Sequence, residues 1–148
     1  MQKQLVVVGL QPEKIQKCKG AEKLVDWVQA HKDDYDSVIA VVRKDLKTDN
    51  FNRMHDDIAN KEMVVLPYAT DNIILVPGYD IDCSHFRTDP GIEYHIMGIS
   101  TAASVMCVAM SMFSHGCSIK VLEKLCMDRK GLHNEAIKIM KAYMPIAF

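Results

Sequence analysis

The run Tyr94-His95-Ile96-Met97-Gly98-Ile99-Ser100-Thr101-Ala102-Ala103-Ser104-Val105 decides how this chain is read. Tyr94 to Gly98 is a short apolar strand, and Gly98 opens a turn. From Thr101 to about Ser114 the chain becomes a long helix, which Gly116 ends as a C-terminal glycine does. A buried strand passing directly into a helix is the unit of a parallel sheet, because parallel neighbours need a crossover between them.

The same alternation extends both ways. Downstream, Ile119 to Leu122 is a further strand, and Leu132 to Tyr143 is a last helix before Pro145. Upstream, Leu5-Val6-Val7-Val8 is a strand ending at Gly9, followed by a polar loop with Pro12 and Gly20. Ala21 to His31 sets Leu24, Val25, Trp27 and Val28 at helical spacing, and Ser37 to Val42 is the second strand. Arg43 to Ala59 is polar, a loop with a short helix, and Met63 to Leu66 is a weaker strand candidate. Ile73 to Val76 is a strand stopped by Pro77-Gly78, and Pro77 to Gly91 is turn-rich. The expected fold is α/β: one domain over 1–148, an open parallel sheet of about five strands with helices on both faces.

Composition sets the outer limits. The 148 residues are 49% hydrophobic and 25% charged with a formal charge of −1, which opposes a general affinity for nucleic acid or anionic membrane. Five cysteines, odd in number and never spaced as CxxC, read as reduced thiols of a cytoplasmic protein. The strand-like start leaves no room for a signal h-region. Ile96 to Cys117 has the length of a membrane helix, but Gly98, Ser100, Thr101, Ser104, Ser111, Ser114 and His115 divide it into strand, turn and helix.

In open parallel sheets ligands sit at the carboxyl ends of the strands. Those ends here are Val8-Gly9-Leu10-Gln11-Pro12-Glu13, Arg43-Lys44-Asp45-Leu46-Lys47 with Phe51 beyond, Val76-Pro77-Gly78-Tyr79, Gly98 to Val105, and the segment around Cys126. Taken in order, they resemble the isochorismatase/nicotinamidase-like cysteine hydrolases, whose strands lead into V-D-x-Q-x-D-F, T-x-D-x-H, a lysine before P-x-Y, and G-x-x-T-x-x-C-V. The resemblance spans nearly the whole chain and is most specific at Gly98 to Val105. It implies a three-layer, Rossmann-like sandwich and a non-proline cis peptide at Ile99–Ser100. It also implies a cysteine nucleophile at a helix N-terminus, activated by an aspartate and a lysine.

All three of those positions differ. The cysteine position holds Ser104, the aspartate position Gly9 and the lysine position Val76. Serine needs an adjacent base that Gly9 cannot supply. Asp45 matches a metal ligand of the metal-binding members, but Lys47 replaces a histidine and would repel the cation, so neither metal nor cofactor is expected.

The sharpest catalytic candidate is Ser104, with His85, His95 or a partner subunit's residue as substitute base; the plainer alternative is a serine bonded locally. Substrate-binding candidates are Gln11, Glu13, Asp45, Tyr79, Ser100 and Thr101, with Glu13 and Asp45 as a candidate carboxylate pair. Cys107 reads as a core thiol or a displaced nucleophile. Asp80-x-Asp82-Cys83-x-His85 has metal-ligand types without a recognised spacing. Arg43, Lys44, Lys47 and Arg87 are candidates for an anion-binding mouth.

The expected function is a catalytically degenerate relative of these hydrolases. It keeps a crevice for a small amide, ester or carboxylic acid, or serves as a structural subunit. The alternative is a hydrolase of small amides or esters using Ser104. The resemblance also implies a homo-oligomer, with the apolar Val105 to Phe113 helix as a candidate interface.

Overall fold

The computed structural model describes residues 1–43 and 65–148. Its five strands are β1 (Gln2–Val8), β2 (Ser37–Arg43), β3 (Asn72–Val76), β4 (Ile92–Ile99) and β5 (Ser118–Met127). They form one parallel sheet in the order β3-β2-β1-β4-β5. The helices are α1 (Pro12–Lys17), α2 (Glu22–His31), α3 (Met106–His115) and α4 (His133–Tyr143). The expected α/β sheet with helices on both faces is the observed one.

The inner strands β1 and β2 are apolar on both sides because each side is covered. On one face Val6, Val8, Val41, Ile74, Val76, Ile96 and Val121 meet Val108 and Met112 of α3 and Ile137 and Met140 of α4. On the other, Leu5, Val7, Val38, Ala40, Val42, Met97 and Ile99 meet Leu24, Val25 and Val28 of α2. Val105, Val108, Ala109 and Met112 are therefore buried in the core, while Met106, Met110 and Phe113 on the same helix are only partly buried. The exposed apolar side chains Leu132, Ile139 and Tyr143 lie on and beside α4.

Two elements differ from the sequence reading. Residues Pro12–Lys17, expected as loop, make a short helix with the proline in its first turn and Lys14 and Lys17 in its last. β5 continues past Leu122 to Met127. Its register with β4 jumps from Ile96↔Val121 to Gly98↔Cys126, so a bulge interrupts the pattern where the strand was expected to stop. The weaker strand candidate at Met63 to Leu66 does not form at its described residues, Val65 and Leu66, which are irregular. Among the described residues no helix is long and apolar enough to cross a membrane.

The carboxyl ends of β1 and β4 are pressed together by two glycines. Gly98 has φ +139, and a Cβ there would lie 1.8 Å from the Val8 carbonyl oxygen. Gly9 has φ +66, and its Cβ would lie 2.1 Å from the Ile99 carbonyl oxygen. Only glycine fits both the left-handed backbone and the close approach.

Candidate functional site

β4 ends in a cis peptide between Ile99 and Ser100, at the bond the resemblance indicated. The chain then forms a π-helical turn, Thr101–Val105, that runs directly into α3. The Ser100 carbonyl accepts from both Ala103 N–H (3.1 Å) and Val105 N–H (3.1 Å), which fixes the turn on the strand end. Ser104 sits within this turn, 4% exposed, and its Oγ has no hydrogen-bond partner among the described residues. The local bonding considered for this serine is therefore not formed. A buried hydroxyl without a partner is uncommon and costs stability.

Beside it, the Thr101 hydroxyl is fully buried and lies 2.8 Å from His133 Nδ1 at the start of α4. Asp128, just beyond β5, receives Ala102 N–H at 2.8 Å on one oxygen. Its other oxygen receives Leu132 N–H at 2.9 Å and Lys130 N–H at 3.1 Å. Burial pushes its carboxyl up, but these backbone donors and the nearby His133 outweigh that and hold it below the usual range. Ser100 Oγ accepts from Arg129 N–H at 3.3 Å. Asp128 and His133 were not among the sequence candidates. The one hint was an aspartate a few residues ahead of a helix, the pattern of an Asx turn.

A second group gathers at the ends of β1, β2 and β3. Gln11 is buried, and its amide clamps the backbone of Arg43: Nε2 donates to the carbonyl at 2.7 Å, and Oε1 accepts from the N–H at 2.9 Å. Gln11 Nε2 also lies 3.5 Å from a carboxylate oxygen of the exposed Glu13. The Arg43 guanidinium stacks over the half-exposed Tyr79 ring at 4.1 Å. Val76, at the lysine position, is 5% exposed and packed in the same apolar cluster as Val105. Gly9 supplies no carboxylate to Ser104, whose Oγ meets none among the described residues. Asp45, Lys44, Lys47 and Phe51 lie outside the described residues, as does most of the Arg43 to Ala59 segment.

Three candidates are corrected, and two keep their plainer reading. His95 is not a base for Ser104: Nδ1 is 2.9 Å from the Tyr35 hydroxyl and Nε2 is 2.5 Å from Glu93, on the sheet face covered by α2. His85 lies exposed in the loop before β4. Arg87 does not join Arg43, because its backbone N–H donates to Tyr94 and its guanidinium pairs with Asp89 at the start of β4, whereas Arg43 ends β2. Among the described residues no three potential metal ligands converge. In the Asp80–His85 segment, Asp80 takes the Ser111 hydroxyl and Asp82 takes Ser84 N–H. Cys107 is half-buried, and burial, then the nearby Asp80, pushes its thiol up, away from a nucleophile's thiolate.

The nicotinamidase of Staphylococcus aureus superposes with a TM-score of 0.69 over 99% of this chain and 96% of its own, at 17% identity. An isochorismatase-like hydrolase from Alkaliphilus metalliredigens gives 0.70 over 99% and 94%, at 11% identity. The fold is that of the isochorismatase-like hydrolases. A MAR1 ribonuclease from Caenorhabditis elegans shares it too, with a TM-score of 0.68 over 98% of this chain and 75% of its own, at 15% identity. No family model and no curated protein matches the sequence. At these identities the isochorismatase-like fold is what is shared, and activity must be argued from the site.

Proposed function

We propose that this protein is a catalytically altered member of the isochorismatase/nicotinamidase-like hydrolases that binds a small molecule at the carboxyl ends of its strands. One observation carries the reading: the nucleophile position is a buried serine hydroxyl with no hydrogen-bond partner among the described residues. Acyl transfer by serine needs a base in contact with the hydroxyl. Gly9 and Val76 supply neither the carboxylate nor the ammonium of the parent chemistry, and the nearest described histidine of the turn, His133, is bonded to Thr101. An unspent donor and acceptor in a buried turn suits a ligand carbonyl or hydroxyl better than a reaction. The unpaired thiols fit a cytoplasmic setting, and self-association would proceed through α4, where Leu132, Ile139 and Tyr143 are exposed.

The alternative, a hydrolase using Ser104 on small amides or esters, draws its support from the same free hydroxyl. The test is release of ammonia or acid from a panel of small amides and esters, by wild type and by Ser104→Ala. The expected result is no turnover by either protein. A wild-type rate that disappears in Ser104→Ala would overturn the binding reading.

A further inference from the structure

We propose that Asp128 sets the ligand class of the Ser104 site: its carboxylate fills the electropositive start of the helix and restricts the site to neutral groups. The inference rests on reading Ser104 as a ligand-facing residue.

The π turn and α3 make a continuous helical segment from Thr101 to His115. A helix start of that length attracts negative charge through its unsatisfied N–H groups and its dipole. Here an internal carboxylate already takes that role. One Asp128 oxygen accepts from Ala102 N–H, and the other is held by Lys130 and Leu132 N–H at the entry to α4. The carboxylate is thus fixed by three backbone donors rather than free to swing away, and it is ionised at neutral pH.

Ser104, two residues beyond Ala102 in the same turn, contributes an uncharged hydroxyl. Glycine at 9 and valine at 76 add no charge. The basic neighbours Arg129 and Lys130 are more exposed than Asp128, so solvent and salt weaken their fields more, and His133 is bonded to Thr101. An anion arriving at Ser104 would therefore meet a fixed negative charge at the same helix start. A neutral carbonyl or hydroxyl would meet only a free hydrogen-bonding partner.

A thiol introduced by Ser104→Cys is an anion probe placed at the site itself. Its ionisation is read from ultraviolet thiolate absorbance as a difference against the protein with Ser104 kept and the same residue at 128, so the five native cysteines cancel, including Cys18, whose thiol Asp128 influences. Adding Asp128→Asn should raise the ionisation constant about tenfold or more, the effect of removing one close negative charge. Asp128→Glu, which keeps the charge, should leave it unchanged, whereas a merely structural role would move both variants alike. Benzamide and benzoate serve as ligand probes by ligand-observed NMR. Wild type should favour benzamide, and Asp128→Asn should gain about tenfold in benzoate affinity by the same electrostatics. An ionisation constant indifferent to Asp128→Asn overturns the proposal, whatever Ser104→Ala does to benzamide binding. A shifted constant with neither probe bound by any variant overturns the Ser104 ligand site on which it rests.

Discussion

Replacing Gly9 by alanine measures how firmly the fold excludes a side chain from the position that a catalytic aspartate would need. Two costs combine. At φ +66 a non-glycine residue loses about 1–2 kcal/mol. The added Cβ would also sit 2.1 Å from the Ile99 carbonyl oxygen, where ordinary contact begins at 3.4 Å. The obstacle is backbone at a strand end, so β1 and β4 must part, at a cost of about 1–3 kcal/mol typical of overpacking. The total, about 2–5 kcal/mol, corresponds to a fall in Tm of roughly 5–15 °C for a chain of this size. Two other glycines separate the contributions. Gly131 has φ +74 and open space around its Cβ position, so Gly131→Ala should lose only the conformational part. Gly78 has open space and no such φ, so Gly78→Ala should change little. Calorimetry on the three variants should rank them Gly9, Gly131, Gly78. A Gly9→Ala protein no less stable than Gly131→Ala would refute the reasoning, since the close approach would then cost nothing. The same clash predicts that Gly9→Asp will not restore a working carboxylate.

Further outcomes follow from the hydrogen bonds and burial. Gln11→Ala strips the clamp from the part-buried Arg43 N–H and C=O, and should cost about 1–3 kcal/mol in urea unfolding. A loss below about 0.5 kcal/mol would mean that water replaces the amide at no cost. Burial pushes the Cys126 thiol from 9.0 up to about 12. The folded state therefore holds that proton more tightly than the unfolded chain. Stability is whole below pH 9 and falls between pH 9 and 12, by up to ~1.4 kcal/mol per pH unit from this thiol. Cys126→Ala should be less stable at neutral pH yet show a shallower alkaline slope; an identical slope would remove Cys126 as its source.

The strands were legible because doubly covered parallel strands read as unbroken apolar runs, as in Leu5–Val8 and Ile73–Val76. The Thr101 helix was legible from its length and the glycine that ends it. What escaped was local or long-range in ways that composition does not encode. Pro12–Lys17 is too short for a period to emerge, and the β5 bulge hides Cys126 from the alternation. At the site, position 104 was visible, but that its hydroxyl finds no partner among the described residues was not. Gln11 looked available for a ligand, yet its amide is engaged with a residue 32 positions away. His133 and Asp128 reach Thr101 and Ala102 across 32 and 26 residues, and no spacing rule joins them. The mutual exclusion of side chains at Gly9 and Gly98 exists only once β1 and β4 lie side by side.

The strand order bears on how the protein is made. β1 is synthesised before the other four strands, but it occupies the centre of the sheet, and its register with β4 pairs Gln2 with Ile92. At ~5–20 residues per second the ribosome needs roughly 5–20 s to deliver that second partner. Throughout that interval one long edge of an apolar strand stands open beside nascent β2. Chaperone protection should therefore matter most before β4 emerges, and arrest of translation upstream of Ile92 should leave a sticky, protease-sensitive intermediate rather than a stable half-domain.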